Sequence, residues 1–300
     1  MSAPTIIFQY KKKHQLALFY LLIGAVAIGF APILVRLSQV GPISTGFWRV
    51  AIAFPILTLL SMQQGSTLPN DGEIPIFKDY LWVLFSGILF GGDLATWHLS
   101  IHFTSIANST LLANFSPVII ALWGWLVLGK TPKKKLVLGL LLAILGIAIL
   151  IRPSLHMNQN TKIGDCLALI TAFFYAGYLL VLNRARRKFT TFSSMALSTF
   201  ASMLTLLLIA YLSGEAFIPT TETAWLVLMA LALFAHIIGQ GLIAYALPYL
   251  SVTFSSTALL IQPMVAAMAG WFFFSEYLGV IQIMGMLIAL IGIFLAKQTI

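Results

Sequence analysis

Ionisable side chains are scarce in this chain, so those that fall inside long apolar runs are the first candidates for chemistry. Asp93 is the one acid clearly within such a run, and Arg49 lies within another. A charge buried in a lipid-crossing segment is costly and marks a functional site by default. At about 1.5 Å per residue the two charges come out at matching depths near the middle of their runs. Two readings stay open: a fixed Arg49–Asp93 bridge that locks the helices, or an Asp93 that takes up a proton or a cationic solute. Trp97 stands one helical turn from Asp93, and Tyr175 falls mid-run, so aromatic walls could stack on a flat or cationic solute. His236 lies near the centre of its run with Gln240 at i+4 on the same face. Gln262 adjoins Pro263, while Asn114 and Ser116 adjoin Pro117. Proline removes a donor from the helical ladder, and interrupted helices at matching positions point to a binding site.

Several familiar motifs are matched in letters but not in setting. Gly124 to Thr131 fits the phosphate-binding expression G-x-x-x-x-G-K-[ST], yet it is the apolar tail of a long run with no strand before it. His98 and His102 have the i, i+4 spacing of a zinc pair, but no Glu follows His98. His98 is therefore kept as a cavity or interface candidate and no metal is expected. A single cysteine, Cys166, excludes a disulfide framework. No paired catalytic constellation emerges, so neither enzymatic activity nor a cofactor is expected.

These residues must be held by helices in lipid. The chain has 300 residues, 60% of them hydrophobic and 8% charged, with a mean hydropathy of +0.99, more apolar surface than a soluble domain can hide. The apolar runs have the length of helical spans, not the shorter alternating strands of a barrel. Ten are expected, at 16–35, 44–62, 80–100, 106–128, 134–151, 164–183, 193–212, 224–247, 253–274 and 278–296. With the N-terminus inside, 13 of the 17 Lys and Arg fall on the cytoplasmic side, three (Arg36, Arg152, Lys162) fall outside and Arg49 is within a span. Positive residues favour the cytoplasmic side, so both termini are expected there. The net charge of +9 is accordingly a topological signal, and no nucleic-acid partner is implied. The apolar run after Lys11–Lys13 continues to Val35, longer than a cleaved leader needs, and reads as a retained span.

Displacing the sequence by 146 positions superposes Ser109 on Ser255, Pro117 on Pro263, Gly124 on Gly270, Trp125 on Trp271, Gly139 on Gly285, Ala143 on Ala289 and Gly146 on Gly292. Residues 1–155 and 156–300 thus read as two repeats of five spans. An odd number of spans per repeat inverts the second relative to the first, an architecture recurrent in secondary transporters. The fold expected is an all-α polytopic membrane protein, ten transmembrane helices in two inverted five-helix repeats. The glycine and alanine seams of the fifth and tenth spans carry no polar group and read as scaffold.

The stretches NFSPVIIALWGWLVLGKTPKKKLVLGLLLAILGIAIL and QPMVAAMAGWFFFSEYLGVIQIMGMLIALIGIFLA close the two halves. Their mid-span proline, small or aromatic run, terminal acid and glycine-spaced last helix resemble the EamA family of the drug/metabolite transporter superfamily. The second half keeps the acid as Glu276; the first has Lys130 in its place. The resemblance implies a plasma-membrane carrier of small metabolites, with a central cavity lined by the third, fourth, eighth and ninth spans and parts of the first and sixth. The function expected is export of an amino-acid-like or drug-like solute by alternating access, in exchange for protons. An uncoupled facilitator is the alternative. Small solute, protons and membrane lipid are the partners expected, and oligomeric state is not legible.

Overall fold

The computed structural model describes residues 3–64, 74–129, 134–155, 159–250, 252–276 and 279–297, and every regular element among them is helical. In chain order these are α1 (Ala3–Gly29), α2 (Ala31–Leu37), α3 (Pro42–Gln63), α4 (Phe77–Phe103), α5 (Ile106–Ala113), α6 (Ser116–Leu126) and α7 (Lys134–Leu155). There follow α8 (Gln159–Ala185), α9 (Thr191–Ser213), α10 (Glu222–Ala230), a π-helical segment (Leu231–Gln240), α11 (Gly241–Ala246), a 3₁₀ turn (Leu247–Tyr249), α12 (Val252–Ala258), α13 (Ile261–Phe274) and α14 (Val280–Lys297). Seven helical stretches among the described residues are long and apolar enough to cross a membrane: 13–37, 42–63, 77–103, 106–126, 159–185, 191–213 and 222–249. The expected fifth span falls on α7, and the ninth and tenth fall on shorter apolar helices, Ile261–Phe274 and Val280–Gly292. Large apolar side chains such as Phe19, Leu208, Trp271 and Phe272 cover the outside, as lipid contact requires.

Local chemistry sets the helix ends. Pro32, Pro42 and Pro117 occupy the first or second positions of α2, α3 and α6, where a missing N–H is harmless. The side chains of Ser105, Thr190 and Thr221 accept from the backbone amides of Asn108, Ser193 and Ala224, capping α5, α9 and α10. Gly214, at φ +64°, ends α9 in the left-handed region that a side chain would resist.

Packing relates the two halves reciprocally. α7 lies along α14, α4 rests on α8 and α9, and α1 rests on the π segment and α11, with α3 against the π segment in turn. α5 and α6 meet α8, while α13 and α12 meet α1; α5 also meets α13, and α3 meets α9. Exchanging each expected span for its partner five spans on leaves this set unchanged. In the α7–α14 seam a Cβ at Gly146 would run into the Ala289 backbone and stand 2.6 Å from the Gly285 oxygen. At Gly292 it would meet Ala143 and stand 2.6 Å from the Gly139 oxygen.

Three expected spans are interrupted, two of them beside Pro117 and Pro263, the prolines that marked them in the sequence. The first turns at Phe30, ahead of Pro32; the fourth breaks at 114–115 and the ninth at 259–260, each just ahead of its proline. The eighth is continuous, but its middle winds as the π segment. Irregular backbone at membrane depth is tolerated where protein covers it or where it lines a cavity.

Candidate functional site: a central polar cavity

The breaks and the π segment face a common space. α3 brings Arg49 to it, and α4 brings Asp93, Leu94 and Trp97, the first and last on one face by their i, i+4 spacing. Ala113 and Asn114 reach it from the end of α5, and Thr171 and Tyr175, again four apart, from α8. Gln240 comes from the end of the π segment, Gln262 from the first turn of α13, and Ile28 from α1. The space left between these side chains is small, about 30 Å³, room for a water molecule and not for an organic solute in this conformation.

Seven of the nine candidate residues, Arg49, Asp93, Trp97, Asn114, Tyr175, Gln240 and Gln262, therefore line one cavity. The remaining two stand one layer out. His98 Nδ1 pairs with the Pro42 carbonyl oxygen at 3.1 Å, and His236 Nε2 shares a 2.8 Å hydrogen bond with Thr199 Oγ1. Sequence reasoning missed Thr171, although it lies one turn before Tyr175. Its hydroxyl donates to the Leu167 carbonyl oxygen at 3.0 Å and pairs with Thr96 Oγ1 at 2.7 Å.

The cavity's polar groups are poorly satisfied by one another. Asn114 Nδ2 donates to the Thr110 oxygen at 2.9 Å and to Gln262 Oε1 at 3.4 Å, which joins the two proline-interrupted stretches. Against that, Arg49 Nε and Nη1 and Trp97 Nε1 are buried with no hydrogen-bond partner in the protein, and Tyr175 Oη, Gln240 Oε1 and Gln262 Nε2 neighbour one another without close hydrogen bonds. Each such atom costs roughly 1–3 kcal/mol, more when charged, unless water or a ligand meets it. Among the described residues no Arg49 nitrogen lies within 4.0 Å of an Asp93 oxygen, so the two buried side chains share the cavity without a direct bridge. A guanidinium, a carboxyl group and several orphaned donors around one polar cavity suit the capture of a polar group.

The familiar motifs take other settings. Gly124 lies inside α6, and Lys130 and Thr131 fall outside the described residues. Among the described residues no three His, Cys, Asp or Glu side chains gather at metal-binding distance.

Known proteins share this fold and this sequence pattern. One solved protein structure superposes with a TM-score of 0.67 over 94% of this chain and 96% of its own at 16% identity, a likeness of fold alone. An uncharacterised transporter of Archaeoglobus fulgidus is 26% identical over 300 residues, covering 96% of this chain and 98% of its own. The pseudopaline exporter CntI of Pseudomonas aeruginosa is 23% identical over 253 residues, 84% of this chain and 85% of its own. The EamA-like transporter family model matches residues 15–152 and again 162–297, once in each half. With both halves matched and a polar cavity among their helices, the chain belongs to the EamA-like transporter family.

Proposed function

We propose that this transporter-family protein exports a small organic solute bearing both a carboxylate and an ammonium, by alternating access around the central cavity. The observation that carries this is the set of buried, unpartnered polar atoms on the cavity-lining residues. Arg49 receives the carboxylate, with Trp97, Tyr175 and Gln262 as further donors, and Asp93 receives the ammonium. Because the two charges do not neutralise each other directly, a zwitterion satisfies both. Coupling is to protons, with Asp93 the group that exchanges them. The runner-up, an uncoupled facilitator, uses the same cavity without that exchange.

Ten spans in two inverted repeats are the architecture this mechanism needs. The reciprocal packing of the halves and the matched interruptions at 114–115 and 259–260 support it. Residues 1–155 and 156–300 are the two repeats, and the distribution of Lys and Arg favours cytoplasmic termini in the plasma membrane. Export is the direction carried by one relative's name.

Inside-out vesicles loaded with the protein are to be given radiolabelled amino acids and their N-substituted derivatives, with and without a pH gradient. Saturable uptake is expected, and Arg49→Gln should lower it by about tenfold or more, the loss of a charged hydrogen-bonding partner. Gradient-independent uptake would favour the facilitator; uptake indifferent to Arg49→Gln would sink the proposed site.

A further inference from the structure

On one face of the molecule, an ion pair grips the junction between α4 and α5. Arg36, in the last turn of α2, donates through Nη2 to the Ile101 oxygen at 2.6 Å and the Thr104 oxygen at 3.1 Å, carbonyls at the C-terminal end of α4. Glu276, just past α13, accepts the Ile106 amide at 3.0 and 3.2 Å, the first amide of α5. The two side chains meet each other at 3.4 Å, both largely shielded from solvent, and the Arg36 guanidinium lies 5.7 Å from the Phe274 ring centroid. A helix presents unpaired carbonyls and partial negative charge at its C-terminus, and unpaired amides and partial positive charge at its N-terminus. The cation therefore sits on the negative end of one helix and the anion on the positive end of the next. All four elements so joined belong to spans that line the cavity: α1–α2 through Ile28, α4 through Asp93 and Trp97, α5 through Asn114, and α13 through Gln262. Beside the grip, Thr104 Oγ1 donates to Asp165 Oδ1 at 2.7 Å and draws in α8.

The opposite face has only part of this arrangement. Arg186, following α8, donates through Nε to the Ala244 oxygen at 3.0 Å, near the end of α11, much as Arg36 holds the end of α4. Its other nitrogens bind Thr191 Oγ1 at 2.8 Å and the Phe189 oxygen. Burial pulls Arg186 down to about 10, still a cation at neutral pH. Asn183 Nδ2 adds a 3.1 Å bond to the Leu247 oxygen. At the position displaced by 146 from Glu276 the sequence has Lys130, outside the described residues, and a carboxylate on this face, Asp79, pairs instead with Lys188 at 3.1 Å. The repeat-related glycines register the difference: a Cβ at Gly270 would stand 3.1 Å from Glu276 Oε2, whereas among the described residues nothing lies within 4 Å of one at Gly124.

We infer that Arg36 and Glu276 form a latch that closes the central cavity toward the face bearing the α4–α5 junction, and that the opposite face, whose Asp79–Lys188 pair ties the start of α4 to the turn after α8 and not to the end of α11, opens more readily. The inference rests on the transport reading for its purpose, since an exporter waiting for solute is served by a cavity that opens inward first. Its test needs no solute. In a Cys166→Ala background, Ala113→Cys provides a cavity reporter, and a membrane-impermeant methanethiosulfonate is applied to either face of sealed vesicles.

Glu276→Gln and Arg36→Gln should each raise the labelling rate from the latch face by about tenfold and lower it from the other face, a population shift between two states. Glu276→Asp, which keeps the charge, should stay near the parent rate. Unchanged rates in both neutral variants overturn the latch, and so does an equal rise from both faces, which is general loosening. A labelling shift in a protein that moves no tested solute would leave the latch standing and count against the transport reading alone.

Discussion

Two helix pairs related by the same 146-residue displacement do opposite things. α7 and α14 run on without interruption, and their Gly139, Ala143, Gly146 and Gly285, Ala289, Gly292 bring backbone against backbone. The other pair, α5–α6 and α12–α13, is broken just ahead of Pro117 and Pro263, and there Asn114 and Gln262 meet beside the cavity. Close approach of small residues leaves no room for a ligand and contributes packing alone. Interruption releases polar groups and creates space. Of two helix pairs sharing one sequence displacement, the unbroken one packs closely and the broken one borders the cavity.

The sharpest way to break the scaffold side is to add atoms to the seam. Gly146→Val places branched carbon against the backbone of Ala289 and should cost about 3 kcal/mol, the upper end for overpacking, read as lost folded yield and a lowered Tm in detergent. Gly124→Ala is the matched control, since a Cβ there meets nothing within 4 Å. Replacing glycine within a helix should there be neutral or stabilising by up to about 1 kcal/mol. Equal tolerance at both glycines would defeat the account of α7 and α14 as a close-packed pair.

The cavity side should respond in function before stability. With no direct Arg49–Asp93 contact to break, Asp93→Asn is expected to shift stability by less than about 1 kcal/mol. Proton-driven flux should nevertheless fall by about tenfold or more, and Asp93→Asn with Arg49→Gln should not recover it. A structural bridge predicts the reverse: about 3–5 kcal/mol lost in the single variant and regained in the double. Thermal stability and vesicle flux of the three variants separate the two.

Much of this comparison was legible in the sequence, and what was not has a physical reason. Composition and run length announced helices in lipid, and small residues at fixed spacing announced the seam, because both are properties of a face repeated over many residues. Arg49, Asp93, Asn114, Gln240 and Gln262 could be singled out because polarity in an apolar run is conspicuous, and Trp97 and Tyr175 as aromatics one turn from Asp93 and mid-run. Thr171 escaped because a hydroxyl that donates to the carbonyl four residues back is ordinary in a helix. The π segment escaped for a different reason: its apolar pattern over 231–240 is what an α-helix would also carry. Depth arithmetic put Arg49 and Asp93 at one level but could not say whether they touch, since reach across a bundle depends on side-chain direction and not on sequence spacing.

His236 gives the smallest expected effect and the finest test of where the cavity ends. It rides the same π segment as Gln240, yet it stays out of the cavity lining and pairs with Thr199 on α9, its ring 5.6 Å from that of Phe90. Its influence on solute then runs through the placement of Gln240, four residues on. His236→Ala removes the bond to Thr199 and leaves a small void, so flux should fall only about two- to threefold, less than loss of a direct charged contact. The change should appear in KM, and the pH profile of transport should keep its midpoint. His236→Gln, which can restore a hydrogen bond to Thr199, should recover most of the loss. A displaced pH midpoint in either variant would instead make His236 a proton carrier and extend the working site beyond the cavity wall.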